Sequence, residues 1–190
     1  MILKKENIAN LSPTEKRAVL KKLLEQRATQ PKAIPLSLAQ EGIWFLEQIR
    51  PQTAVFNIAR AFRLEGDLNV AALQTAVSTL IQQHSSLRTT FFDSAGAPQQ
   101  HIHPAYSPIV QQAAQIQQHQ PTAQLAEQLA HQPFDLQTQP LIRFHLIPHA
   151  PNKHHLLFVV HHLIADEWSL DLIYADLAKA NELALNQAAS

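Results

Sequence analysis

The sequence predicts a mixed α/β fold (α+β in the strict sense): one mixed sheet flanked by helices. Two observations carry that prediction. Segments with apolar residues at helical spacing take turns with segments that alternate apolar and polar. Two strand patterns are also joined by a short turn that reads as a hairpin, so the sheet holds antiparallel pairs and is not purely parallel.

Element by element, Ser12-Pro13-Thr14-Glu15 reads as a capped helix start, and Val19, Leu20, Leu23 and Leu24 follow on a charged background. An amphipathic helix is expected over 11–28, then a proline-containing linker, so residues 1–33 precede a main fold of 34–190. Residues 37–48 read as a helix with Leu38, Ile43, Trp44 and Leu46 as its apolar positions. Residues 55–65 alternate as a strand. Asp67 is expected to cap a helix running to His84, with Ala72, Leu73, Ala76, Val77, Leu80 and Ile81 on one face. Strands over 87–93 and 99–103 flank the turn Ser94-Ala95-Gly96-Ala97. Residues 105–120 are rich in Gln and Ala and carry no clear pattern. A short helix follows over 121–131. Strands over 140–148 and 154–162 flank the turn 150–153 and should pair antiparallel. Asp166 then caps a last helix to about Asn186, with Leu170, Ile173, Leu177 and Leu183 among its apolar positions.

Composition narrows function. The 190 residues suit one domain, or one lobe of something larger. Fifteen basic and fifteen acidic residues balance, which argues against a dedicated nucleic-acid binder. There is no cysteine, hence no disulfide, thiolate metal site or Cys nucleophile. No run of about 18 apolar residues suggests a membrane span, and a cytoplasmic location is expected. Only 3 glycines leave little for a phosphate-cradling loop, whereas 11 histidines invite a search for acid–base or metal chemistry.

That search converges on 154–162, which ends in His161-His162, with Asp166 four residues further on. Strand neighbours point to opposite faces, so His155, Leu157, Val159 and His161 share one face while His154, Leu156, Phe158, Val160 and His162 take the other. Only one of the paired histidines can enter a given cleft. A strand-end His before a helix N-terminus suits catalysis, because the helix dipole favours developing negative charge. A lone strand histidine is, however, more often a packed, hydrogen-bonded residue. A zinc site from His154, His155, His161, His162 and Asp166 is not expected, since adjacent strand histidines diverge and no HExxH helix accompanies them. Spacing alone does not separate an acid–base histidine from a structural one.

Residues 161–169, HHLIADEWS, resemble the HHxxxDGWS motif of condensation domains from non-ribosomal peptide synthetases. Its HxxxD part is shared with chloramphenicol acetyltransferase. Three further segments match in order: Ser37-Leu38-Ala39-Gln40 with Trp44 and Leu46 resembles SxAQxxLWxL, residues 83–91 resemble RHExLRTxF, and Pro133-Phe134-Asp135-Leu136 with Pro140-Leu141-Ile142-Arg143 resembles PFDLxxxPLxR. Two positions depart: Glu167 stands where the family has glycine, and Gln83 replaces the leading arginine of the second motif.

The resemblance implies a chloramphenicol acetyltransferase-like lobe, the N-terminal of the two in a condensation domain. The full domain would form an amide between an upstream carrier-bound acyl or peptidyl thioester and the amine of a downstream aminoacyl thioester. No cofactor is expected to bind directly; the substrates would ride on phosphopantetheine arms of carrier proteins. Partners would be those carriers, the C-terminal lobe and neighbouring synthetase domains, not nucleic acid or membrane. His162 would be the catalytic histidine, with His161 and Asp166 structural. Asp166 is expected to pair with Arg143 or Arg88, and Trp168 and Ser169 to pack and cap the last helix, with Glu167 in its first turn. This lobe alone is expected to be inactive, with an apolar surface where the second lobe would sit. The alternative is a degenerate lobe that only docks a carrier or a partner lobe.

Overall fold

In the computed structural model, residues 34–112, 122–138 and 140–188 are described. The helix expected over 11–28, with its linker, lies outside them. The elements are β1 (Ile34–Pro35), α1 (Leu38–Ile49), β2 (Asn57–Glu65), α2 (Val70–Gln83), a 3₁₀ turn (Ser85–Arg88), β3 (Thr89–Ser94), β4 (Ala97–Ile102), β5 (Gln111–Gln112), α3 (Thr122–Ala130), β6 (Ile142–Ala150), β7 (Lys153–His161) and α4 (Glu167–Ala188).

The strands form two sheets rather than one. The smaller is β1-β4-β3, all antiparallel; the larger is β2-β7-β6-β5, antiparallel except where β5 runs parallel to β6. The β3–β4 hairpin turns on Ala95 and Gly96, both at positive φ (55° and 84°), and the Asp93 carboxylate accepts from the Gly96 N–H at 2.9 Å. Two central residues at positive φ match the twist of the flanking strands. The β6–β7 register is even from Ile142↔Val160 to Pro148↔His154 and breaks between Pro148 and Ala150, where proline has no N–H for the ladder. β5 has no signature in the sequence, because two residues carry no periodicity.

The buried face of α2 is the one its spacing predicts: Ala72, Leu73, Ala76, Val77, Leu80 and Ile81. Its cap is Asn69, whose side chain accepts from the Ala72 N–H, and not Asp67. Asp67 instead receives the Asn152 amide of the β6–β7 turn at 3.0 Å. Along α4, Leu170, Ile173, Leu177, Ala180 and Ala184 are buried, while Leu183 is exposed. On the helical side of the larger sheet, Phe158 meets Phe144 and Tyr174 edge-on at 5.3 Å each, and Tyr174 meets Phe62 at 4.8 Å. Each such burial contributes roughly 1.5–3 kcal/mol, which holds α4 in place along the sheet.

The orientation of α1 departs most from expectation. Ser37 Oγ accepts from the Gln40 N–H while the Gln40 side-chain oxygen accepts from the Ser37 N–H, a reciprocal cap. Leu38, Phe45, Leu46 and Ile49 nevertheless face outward, and the helix buries Trp44 and Glu47. No described helix is long and apolar enough to cross a membrane.

Candidate functional site

β7 delivers His161 and His162 to its C-terminal end, and the strand alternation sends them to different environments. His161 is 1% exposed, on the same face as Val159, Leu157 and the cross-strand residues Arg143 and His145. Its ring lies between Phe56 and Phe134, at 6.2 and 6.1 Å. The Leu163 N–H donates to His161 Nδ1 at 3.2 Å, so Nδ1 holds a lone pair. The proton is therefore on Nε2, which donates to Glu47 Oε1 at 3.3 Å. Burial pushes the His161 pKa down to about 4, with the neighbouring His162 adding to it. Burial likewise raises the pKa of the Glu47 carboxyl. A neutral imidazole donating to a carboxylate is the arrangement these partners describe.

His162 is exposed. Its backbone N–H donates to the Phe56 carbonyl at 2.8 Å, which ties the loop to β2. Its Nδ1 lies 3.0 Å from the Ala165 carbonyl oxygen. A carbonyl only accepts, so Nδ1 carries a proton, and whenever the ring is neutral Nε2 holds the unshared pair. A neutral imidazole so fixed can take a proton from, or orient, a group that approaches Nε2.

Among the described residues Asp166 forms no ion pair, with Arg143, Arg88 or any other cation. Its Oδ1 accepts from the Ser169 N–H at 2.8 Å and from the Ser169 hydroxyl at 2.5 Å, and these bonds hold its pKa below the usual carboxylate range. Its own carbonyl accepts from the Leu170 N–H, so Asp166 caps α4. Ser169 completes that cap. The cap also takes one of the N–H groups that a developing negative charge would use, and it adds a carboxylate at the helix start. Glu167 in the first turn pairs with Arg60 of β2, both on the surface. Trp168 does not pack: it is 87% exposed.

Arg143 finds other partners. Its guanidinium donates to the carbonyls of Gln132 (2.8 Å) and Pro133 (2.6 Å) and lies 3.8 Å over the Phe134 ring. It thereby fixes the loop that places Phe134 against His161; Asn57 helps, donating to the Ala130 and Gln132 carbonyls. Arg88 is elsewhere, donating to the His103 carbonyl and lining a 390 Å³ cavity with Thr90, His103 and Tyr106. Gln83, in place of the motif arginine, is exposed, but its neighbour His84 bonds Asp176 of α4 at 2.8 Å. Among the described residues no three His, Asp or Glu side chains converge as metal donors.

Two contributions were not foreseen: that of Glu47, which no motif names, and that of Gln40, which the first motif contains without a role. Glu47 lines a 510 Å³ cleft between α1 and residues 133–137, and Gln40 donates from Nε2 to the Leu163 carbonyl at 3.0 Å. The signal was spacing: Gln40, Trp44 and Glu47 lie at i, i+4 and i+7, and an acid on the face of a tryptophan is anomalous.

The family model described as a condensation domain matches residues 30–189. The chain belongs to that family. It is 37% identical over 156 residues to a dimodular nonribosomal peptide synthase of Bacillus subtilis, covering 82% of this chain and 6% of that protein. The starter condensation domain of a rhizomide synthetase superposes with a TM-score of 0.68 at 29% identity, over 83% of this chain and 39% of that one. The X-domain from teicoplanin biosynthesis gives 0.67 at 35% identity, over 80% and 33%. The mixed α/β lobe with the chloramphenicol acetyltransferase-like fold is therefore shared with condensation domains, and this chain spans well under half the length of those it matches.

Proposed function

We propose that this chain is the histidine-bearing lobe of an amide-forming condensation domain. The substrates would be two thioesters on phosphopantetheine arms of carrier proteins, an acyl or peptidyl donor and an aminoacyl acceptor. The observation that carries the reading is His162: exposed, with Nδ1–H held by the Ala165 carbonyl and Nε2 open. The acceptor amine nitrogen would attack the donor carbonyl carbon while Nε2 orients the amine or accepts its proton. The C–S bond would then break, the proton passing to the departing sulfur. His161, Asp166, Ser169 and Arg143 would serve by holding the loop and its surroundings.

The second lobe, in this reading, covers part of the exposed apolar surface. Leu38 (87% exposed), Phe45, Ile49, Trp168 and Leu172 support that role. A catalytic arrangement needs its surrounding shell held to about half an ångström, so the 190 residues alone are expected to be inactive. The docking-module alternative rests on Glu167, whose side chain and Arg60 partner occupy the place of a motif glycine.

The test is amide formation by the intact domain with two loaded carriers. H162A should lower the rate about 10²–10⁴-fold while costing no more stability than the one lost hydrogen bond to Ala165, about 1 kcal/mol. An undiminished rate removes His162 from the chemistry, and brisk product formation by the isolated chain refutes the need for a second lobe.

A further inference from the structure

Both peptide groups of Leu163, the residue after His162, are tied to α1, one through the His161 ring and one directly. The Leu163 N–H donates to His161 Nδ1, and the opposite nitrogen of that ring donates to Glu47; the Leu163 carbonyl accepts from Gln40. The two contacts made by Glu47 and Gln40 each span more than 110 residues of sequence. The Gln40 amide cannot flip without loss, because its oxygen is already held by the Ser37 N–H of the helix cap. Glu47 is 5% exposed on a helix whose leucines and phenylalanine face out. A buried acid that accepts from one neutral ring is expensive, and an apolar residue of similar volume would pack there at lower cost.

We propose that Glu47 and Gln40 are positioning residues, which grip the loop on both sides of His162 and so hold its ring in the Nδ1–H form. Glu47 fixes the His161 ring, that ring and Gln40 fix the Leu163 peptide, and the loop so shaped turns the Ala165 carbonyl onto His162 Nδ1. Nε2 is then the open nitrogen. The inference rests on the reading that Nε2 of His162 is the reacting atom, but it concerns how that atom is kept free.

The test uses the whole 190-residue chain labelled with ¹⁵N in histidine, and long-range ¹H–¹⁵N spectra that distinguish the tautomers. In the parent chain His162 should be Nδ1–H and His161 Nε2–H. E47A and E47L should shift the His162 tautomer ratio about fivefold toward Nε2–H, the equivalent of one ordinary hydrogen bond. E47Q, which keeps an acceptor oxygen, should restore the parent ratio. Q40A, at a half-buried site, should shift it in the same direction by less, and it decides the matter should E47A and E47L fail to fold. Lower melting temperatures with an unchanged His162 ratio would overturn the proposal, as would E47Q behaving like E47A. A parent His162 already in the Nε2–H form would instead sink the catalytic reading, which separates the two failures.

Discussion

His161 and His145 lie on the same face of the larger sheet, and each is 1% exposed. Burial pushes both pKa values down to about 4, for His145 with the Arg143 charge as a second cause. Yet His161 has both ring nitrogens engaged, whereas neither nitrogen of His145 has a partner among the described residues. Burial is thus sufficient to keep an imidazole neutral, but only partners choose which nitrogen holds the proton. At the end of β7 that choice shapes the loop around His162; in the middle of β6 nothing in the structure explains the imidazole.

Substitution should break the comparison most sharply. H161A leaves Glu47 buried without its donor and should cost about 3–5 kcal/mol. H145L removes two unpartnered nitrogens in favour of packed carbon and should be neutral or stabilising. Denaturant unfolding of both variants decides it, and equal destabilisation would mean that the partners of His161 count for nothing.

Acid should expose what the two histidines share. Each binds its proton near pH 6.5 when unfolded and only near 4 when folded, so the unfolded chain takes up more protons between those values. Their stabilising contribution is complete above about pH 6.5 and is lost as the pH falls toward 4, on the order of 3 kcal/mol for each. Unfolding curves from pH 7 to 4 should fall less steeply in H145L. Parallel curves would contradict the assignment.

The smallest effects concern the start of α4. With Asp166 acting as a cap, D166A should cost about 1 kcal/mol, whereas D166N, also a good cap, should cost only a few tenths. E167G breaks a surface pair whose side chains are 51% and 70% exposed, and should cost about 1 kcal/mol or less. Thermal melts measure both. A D166N penalty as large as that of D166A would restore the ion pair that the sequence suggested.

Much of the fold was legible. The spacing of Leu73, Val77, Leu80 and Ile81 is explained by α2, and the alternation of 154–162 by β7. Four ordered motifs pointed to the family. The site was legible only in part. The resemblance to HHxxxD named His162, whose role remains the proposal above, and it left Asp166 to Arg143 or Arg88; Arg143 is instead bound to carbonyls beside Phe134 and Arg88 to that of His103. A charge in a sequence advertises a need for a partner without naming one, and here Ser169, three residues away, is the partner.

By itself the sequence determined the period of the longer elements, most of the helix starts, and which strand ends in two histidines, because these follow from local geometry and nearest neighbours. Tertiary structure decided which face of each element was covered. It turned α1 so that Leu38, Phe45 and Ile49 look outward and Glu47 inward, and split the strands into two sheets. It also placed Gln40 and Glu47 against a loop more than a hundred residues away. Periodicity reports that a face exists; what packs on it depends on contacts between segments that carry no mark of one another.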